Sequence, residues 1–79
     1  MFTLTPKSHT PLVTQIVEGF PRLVDEGKLR SGTRAPSIRQ FASTHQVSIH
    51  TVVQAYDRLA ALGYFVPHPQ LGFFVRRQA

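Results

Sequence analysis

Seventy-nine residues set a ceiling of one small domain with a compact, local core. The chain has no cysteine, which excludes disulfide frameworks, thiolate metal sites and cysteine nucleophiles. Nine Lys+Arg against four Asp+Glu give a formal charge of +5, suited to a polyanion such as nucleic acid or an acidic membrane surface.

The opening Met1-Phe2-Thr3-Leu4-Thr5-Pro6-Lys7 has no basic stretch feeding an apolar run, and no later segment approaches the ~18 apolar residues of a membrane span. The expectation is a cytoplasmic protein with no membrane partner. Residues 1–10 lack periodicity and read as a flexible lead-in. From Thr10 onward Val13, Ile16, Phe20 and Val24 recur every three or four residues, which predicts a first helix. Thr10 is placed to cap it, Pro11 suits the first helical position and Gly27 marks its end. Pro21 removes a backbone donor inside that helix, at a cost of ~3 kcal/mol unless a kink absorbs it, so a bend near Phe20 is expected.

Leu29 to Arg34 is a Gly-containing connection, and Pro36 sits where a second short helix, Ser37 to His45, can begin. Ile38, Phe41, Ala42 and His45 share one of its faces. Gln46 and Val47 form a tight joint before Ser48, a good N-cap for a third helix running to Leu62 and closed by Gly63. Two helices so joined resemble a helix-turn-helix. Tyr64-Phe65-Val66 and Phe73-Phe74-Val75 flank a Pro/Gly segment and read as two antiparallel strands. The fold class is mainly α with a small β-wing: a winged helix-turn-helix of three helices plus a two-stranded hairpin.

On the third helix a spacing of ~100° per residue puts Val52, Ala55, Tyr56, Leu59 and Leu62 on the buried stripe and His50, Gln54, Asp57 and Ala61 opposite. Its first turns offer Ser48, Ile49, His50, Thr51 and Gln54, with hydroxyl, imidazole and amide groups able to bond base edges and an apolar group for a thymine methyl. A solvated polar face is the competing reading. Arg39 lies on the exposed side of the second helix, where it contacts a phosphate or is simply solvated. Arg34 and Ser37 could hold a phosphate at that helix's N-terminus, or Ser37 only caps it. The four His, at 9, 45, 50 and 68, have no i, i+4 pair, so no metal site is expected. No nucleophile elbow, phosphate-cradling Gly-rich loop or carboxylate pair flanked by a pocket-forming sequence is present, so no catalytic residue is expected either.

Gly27-Lys28-Leu29-Arg30-Ser31-Gly32-Thr33-Arg34-Ala35-Pro36-Ser37-Ile38-Arg39, followed by Val47-Ser48-Ile49-His50-Thr51-Val52-Val53-Gln54-Ala55-Tyr56, resembles the winged-helix DNA-binding domain of the GntR family of bacterial regulators. The similarity runs from residue 11 to 76. Within the family, His68-Pro69-Gln70-Leu71-Gly72-Phe73-Phe74-Val75 looks like the wing of the MocR subgroup, whose members carry a C-terminal aminotransferase-like domain that binds pyridoxal phosphate; the YtrA-like subgroup is the nearer alternative.

The resemblance implies that the second and third helices enter the major groove and that the wing approaches the minor groove. It carries contact roles onto Arg39, Ser48, His50, Thr51 and the wing near Gln70 and Gly72; His68, in the same wing segment, is a further DNA-binding candidate. Ile49 stands where many members have Arg, Ala35 replaces a common Leu and Leu71 replaces a small wing residue. The implied organisation is a lead-in at 1–10, a DNA-binding domain at 11–76, and a C-terminal end at 77–79 that starts a linker to an effector domain absent from this chain. The implied function is sequence-specific duplex DNA binding in a transcriptional regulator, homodimeric at full length but mainly monomeric as this domain alone. No cofactor is expected in this chain; pyridoxal phosphate would belong to the absent domain. A protein-interaction module and an RNA-binding domain are the rival functions on the same fold.

Overall fold

The computed structural model describes residues 2–77, so the last two positions of the expected linker start, 78 and 79, lie outside the described residues. Three helices, α1 (Leu12–Asp25), α2 (Ile38–His45) and α3 (Ile49–Ala61), precede an antiparallel hairpin of β1 (Phe65–His68) and β2 (Gly72–Val75). This is the winged-helix order.

One stripe of each helix meets the others in a single core. Ile16, Phe20 and Leu23 come from α1, Phe41 and Ala42 from α2, and Val52, Ala55, Tyr56 and Leu59 from α3. Phe65 and Val75 seal it from the hairpin. Phe20 is at its centre, with its ring 5.0 to 5.7 Å from those of Phe65, Phe41 and Tyr56. The contacts with Tyr56 and Phe65 are edge-to-face, a geometry that adds to the energy of burial.

The caps explain where α2 and α3 start. Ser37 Oγ accepts the Gln40 N–H at 3.1 Å, and Ser48 Oγ accepts the Thr51 N–H at 3.0 Å. Gln46 closes α2 in the left-handed region (φ 56°), so that only Val47 separates it from the next cap. Leu62, expected on the buried stripe of α3, is 58% exposed: at ~100° per residue it lies about 80° from Val52, at the edge of the stripe, and it is the C-cap just past the last helical residue.

The first helix departs from the expected capping. Pro11 is the N-cap residue, with no side-chain cap hydrogen bond, and α1 continues through Pro21 to Asp25. Thr10 does not cap; its carbonyl accepts from Gln15 Nε2 at 2.7 Å. Gln15 also donates to the Thr5 carbonyl (2.9 Å) and accepts the Thr5 N–H through Oε1 (2.8 Å). The stretch read as a flexible lead-in is thus tied down, and Phe2 docks against Phe20 (5.2 Å), Phe41 (5.8 Å) and His45 (5.8 Å). A small side-chain position makes this possible: a Cβ at the buried Gly19 would come within 2.8 Å of the Phe2 ring.

In the hairpin Phe65 pairs with Val75 and His68 with Gly72. Pro67 is tolerated because β1 has a neighbour on one side only. The segment before α2 adds itself to the other side of β2: Gly32 N–H donates to the Val75 carbonyl, Val75 N–H to Thr33 and Ala35 N–H to Phe73, each at 2.8 Å. Arg34 faces Phe74 there in an antiparallel bridge. Of the two adjacent phenylalanines, Phe73 packs on Tyr56 (5.2 Å), while Phe74 packs on His68 (4.7 Å).

Candidate nucleic-acid interface

The acidic residues are Glu18, Asp25, Glu26 and Asp57, so the stretch from Gly27 through Tyr56 carries Lys28, Arg30, Arg34 and Arg39 and no carboxylate. That stretch contains α2, the turn and the first two turns of α3. Its sign is uniform as far as Gln54, with Asp57 the first carboxylate beyond it on α3, which favours an approaching anion at α2 and the first turns of α3.

On α3, Ser48, Ile49, His50 and Gln54 are exposed and Thr51 is half-buried. The hydroxyls of Ser48 and Thr51 lie 2.8 Å apart, so the cap holds Thr51 as well as the helix backbone. Ile49 is 50% exposed, an apolar side chain presented among polar ones. His50 Nε2 and Gln54 Nε2 lie 3.1 Å apart, one helical turn along the exposed face. Asp57 continues that face.

Arg39 and Gln40 are exposed on α2. Arg34, Ser37 and Gln40 meet with Leu29, Ala35 and Pro36 in a groove of about 390 Å³ at the start of α2. Ser37 and Arg34 were expected together there; Gln40 was not singled out, although its position three residues after the cap is the signal that places it beside the Ser37 hydroxyl. Arg34 also reaches the wing, since a Cβ at Gly72 would lie 3.3 Å from its Nε. The loop hydrogen bonds to β2 put it there, and no periodicity in residues 29–35 announces them.

The wing turn is built for tightness. Leu71 N–H donates to the His68 carbonyl at 3.1 Å, Gln70 is left-handed at φ 67° and Gly72 has φ 105°. Gln70 and His68 are exposed, and Leu71 is 58% exposed at the tip. Three sets of candidates emerge: the α3 face, the α2 start with Arg34, and the wing. Arg34 joins the last two.

Burial pushes the Tyr56 phenol above its usual range, and burial likewise holds the His45 imidazole below its usual value. Tyr56 belongs to the core, and His45 is half-buried at its edge against Phe2 and Phe41. Among the described residues no group of three His, Asp or Glu could hold a metal ion, and no helix is long and apolar enough to cross a membrane.

The model of the family described as bacterial regulatory proteins, gntR family, matches residues 12–75. The chain is 38% identical over 71 residues to the uncharacterized HTH-type transcriptional regulator YhdI of Bacillus subtilis, covering 90% of this chain and 15% of that protein. Its structure is similar to that of a transcriptional antiterminator from Listeria monocytogenes (TM-score 0.94, 35% identity, 100% of this chain and 59% of that one). It is also similar to YtrA from Sulfolobus acidocaldarius, a GntR-family transcription factor (TM-score 0.90, 31% identity, 99% and 66%).

Proposed function

The chain belongs to the gntR family of bacterial regulatory proteins, and on that premise we propose that it is the sequence-specific duplex-DNA-binding domain of a transcriptional regulator. The observation that carries this reading is the carboxylate-free stretch from Gly27 to Tyr56, which leads from a basic connection into the exposed first turns of α3. The α3 turns read base edges in the major groove through His50 and Gln54, and Ile49 offers its side chain to a thymine methyl. Ser48 and Thr51, whose hydroxyls are engaged in the cap, approach the backbone. Arg39, and Arg34 with Ser37 in the groove before α2, take phosphates. His68, Gln70 and Gly72 bring the wing to the minor groove.

The whole protein is read as a cytoplasmic homodimer; a further effector domain in it is supported by the 15% of YhdI that this chain spans. The wing residues Pro69, Gly72 and Phe73 favour a MocR-like protein, in which pyridoxal phosphate would bind outside these residues. Chemistry at this domain is binding, not catalysis.

The test is titration of labelled duplex DNA, the matching single strand and a structured RNA between 50 and 200 mM salt. Duplex binding is expected to win and to fall steeply with salt, and Arg39→Ala should weaken all duplexes alike and flatten the salt slope by about one unit. Equal or tighter binding of the RNA, or salt-independent binding, would refute the reading.

A further inference from the structure

His50 and Gln54 are each candidates as separate readers, yet their side chains are already joined. The Gln54 amide nitrogen can only donate, so at 3.1 Å it donates to His50 Nε2. The bond is made with the His50 tautomer that carries its ring proton on Nδ1 and accepts at Nε2. One N–H of the Gln54 amide is thereby committed. Its oxygen and its second N–H remain, as one acceptor and one donor side by side.

A carboxamide that is free on a helix surface presents either end to a base. Here the imidazole chooses. We propose that His50 is a positioning residue that locks the Gln54 amide in one orientation, so that Gln54 presents an adjacent acceptor and donor to the adenine edge, N6–H and N7, in the major groove. This rests on the duplex-DNA reading above. The two residues act as a unit, and the base pair beneath Gln54 is specified by both. Preorganisation is the physical gain, since the amide need not surrender its rotational freedom on binding.

Nothing in the core depends on the pair. Both residues are exposed, and neither side chain packs in the hydrophobic core. Variants at either position therefore report on recognition with the fold intact, which far-ultraviolet circular dichroism of each variant verifies.

The experiment selects bound duplexes from a randomised library with the 79-residue chain, then with Gln54→Ala, His50→Ala, His50→Gln and the double alanine variant. Gln54→Ala identifies the base pair it reads, by loss of preference there. At that pair the wild type should prefer adenine by about ten-fold or more, as a bidentate amide contact provides. His50→Ala should reduce the same preference to about two-fold although His50 does not touch that base, and the double variant should lose no more than Gln54→Ala alone. His50→Gln restores an acceptor at the position of Nε2 and should recover most of the preference. If the wild type selects no duplex, the DNA-binding reading itself falls. If it selects a duplex but His50→Ala leaves the Gln54 base pair unchanged, if that pair is not adenine, or if the two alanine effects add at different base pairs, the coupling is overturned and the DNA-binding reading stands.

Discussion

The Tyr56 hydroxyl donates to the Pro36 carbonyl at 2.7 Å, joining the middle of α3 to the residue just before the cap of α2. The two helices of the helix-turn-helix are thus tied at a point away from the turn between them. The ring around that hydroxyl is fully buried against Phe20, Phe65 and Phe73.

Tyr56→Phe keeps the packing and removes the donor. The Pro36 carbonyl is left without this partner, at an expected cost of about 1 to 2 kcal/mol in urea denaturation. A second signature lies in alkali. Burial raises the Tyr56 phenol in the folded chain, whereas in the unfolded chain it loses its proton near its ordinary value of about 10. Above that pH the unfolded state binds fewer protons than the folded one, so stability is full below pH ~10 and falls as pH rises beyond it. Tyr56→Phe should flatten this alkaline decline; an unchanged slope would refute the assignment.

Gly19 and Phe2 form a second pair whose energies should not add. In a free helix Gly→Ala gains about 1 kcal/mol. At position 19 the new methyl meets the Phe2 ring at 2.8 Å, so Gly19→Ala should destabilise by about 1 to 2 kcal/mol through displacement of that ring. In a Phe2→Ala background the same substitution should stabilise. Denaturation of the four proteins of this cycle measures the sign change, and a gain of equal size in both backgrounds would place Phe2 elsewhere.

The sequence showed α2 and α3 plainly, because Ser37 and Ser48 are strong caps and the apolar spacing from Ile38 and from Val52 is helical. His50 and Gln54 could be placed on the outer face for the same reason. Docking of Phe2 was not legible: a single aromatic in an aperiodic stretch carries no pattern, and its receptor is a missing Cβ at Gly19. Pairing of Thr33 and Ala35 with β2 was hidden likewise, since only their backbone groups take part. Arg34 was therefore read as belonging to α2 alone, although it reaches the wing as well.

Gly72→Val tests that wing. Its φ of 105° is costly for a β-branched residue, and the side chain would press on the Arg34 guanidinium. Duplex affinity should fall several-fold or more while helical content is retained. Undiminished affinity would show that the wing takes no part in binding.

Valency gives a further prediction. The chain alone should sediment mainly as a monomer and hold a single half-site weakly, and two copies joined by a linker that spans the half-site spacing should bind about 10²-fold more tightly. Pyridoxal phosphate should leave the affinity of the 79-residue chain unaltered. A tight dimer of these residues, or saturable cofactor binding to them, would contradict this division.

The hydrogen bonds from residues 32–35 to β2 bear on how the domain would judge a duplex. A hairpin of two strands is marginal in water, but β2 is gripped on both sides, by β1 and by the segment that runs straight into Pro36 and Ser37. Pro36 is in turn held by Tyr56 of α3. The wing tip and the outer face of α3 are therefore the two jaws of a calliper with a set gap. On DNA, one jaw in the major groove and the other at the neighbouring minor groove would measure the width between them, and a duplex that must be compressed or widened to fit pays in deformation energy. Base pairs lying under neither jaw would then influence the choice of site through their stiffness alone.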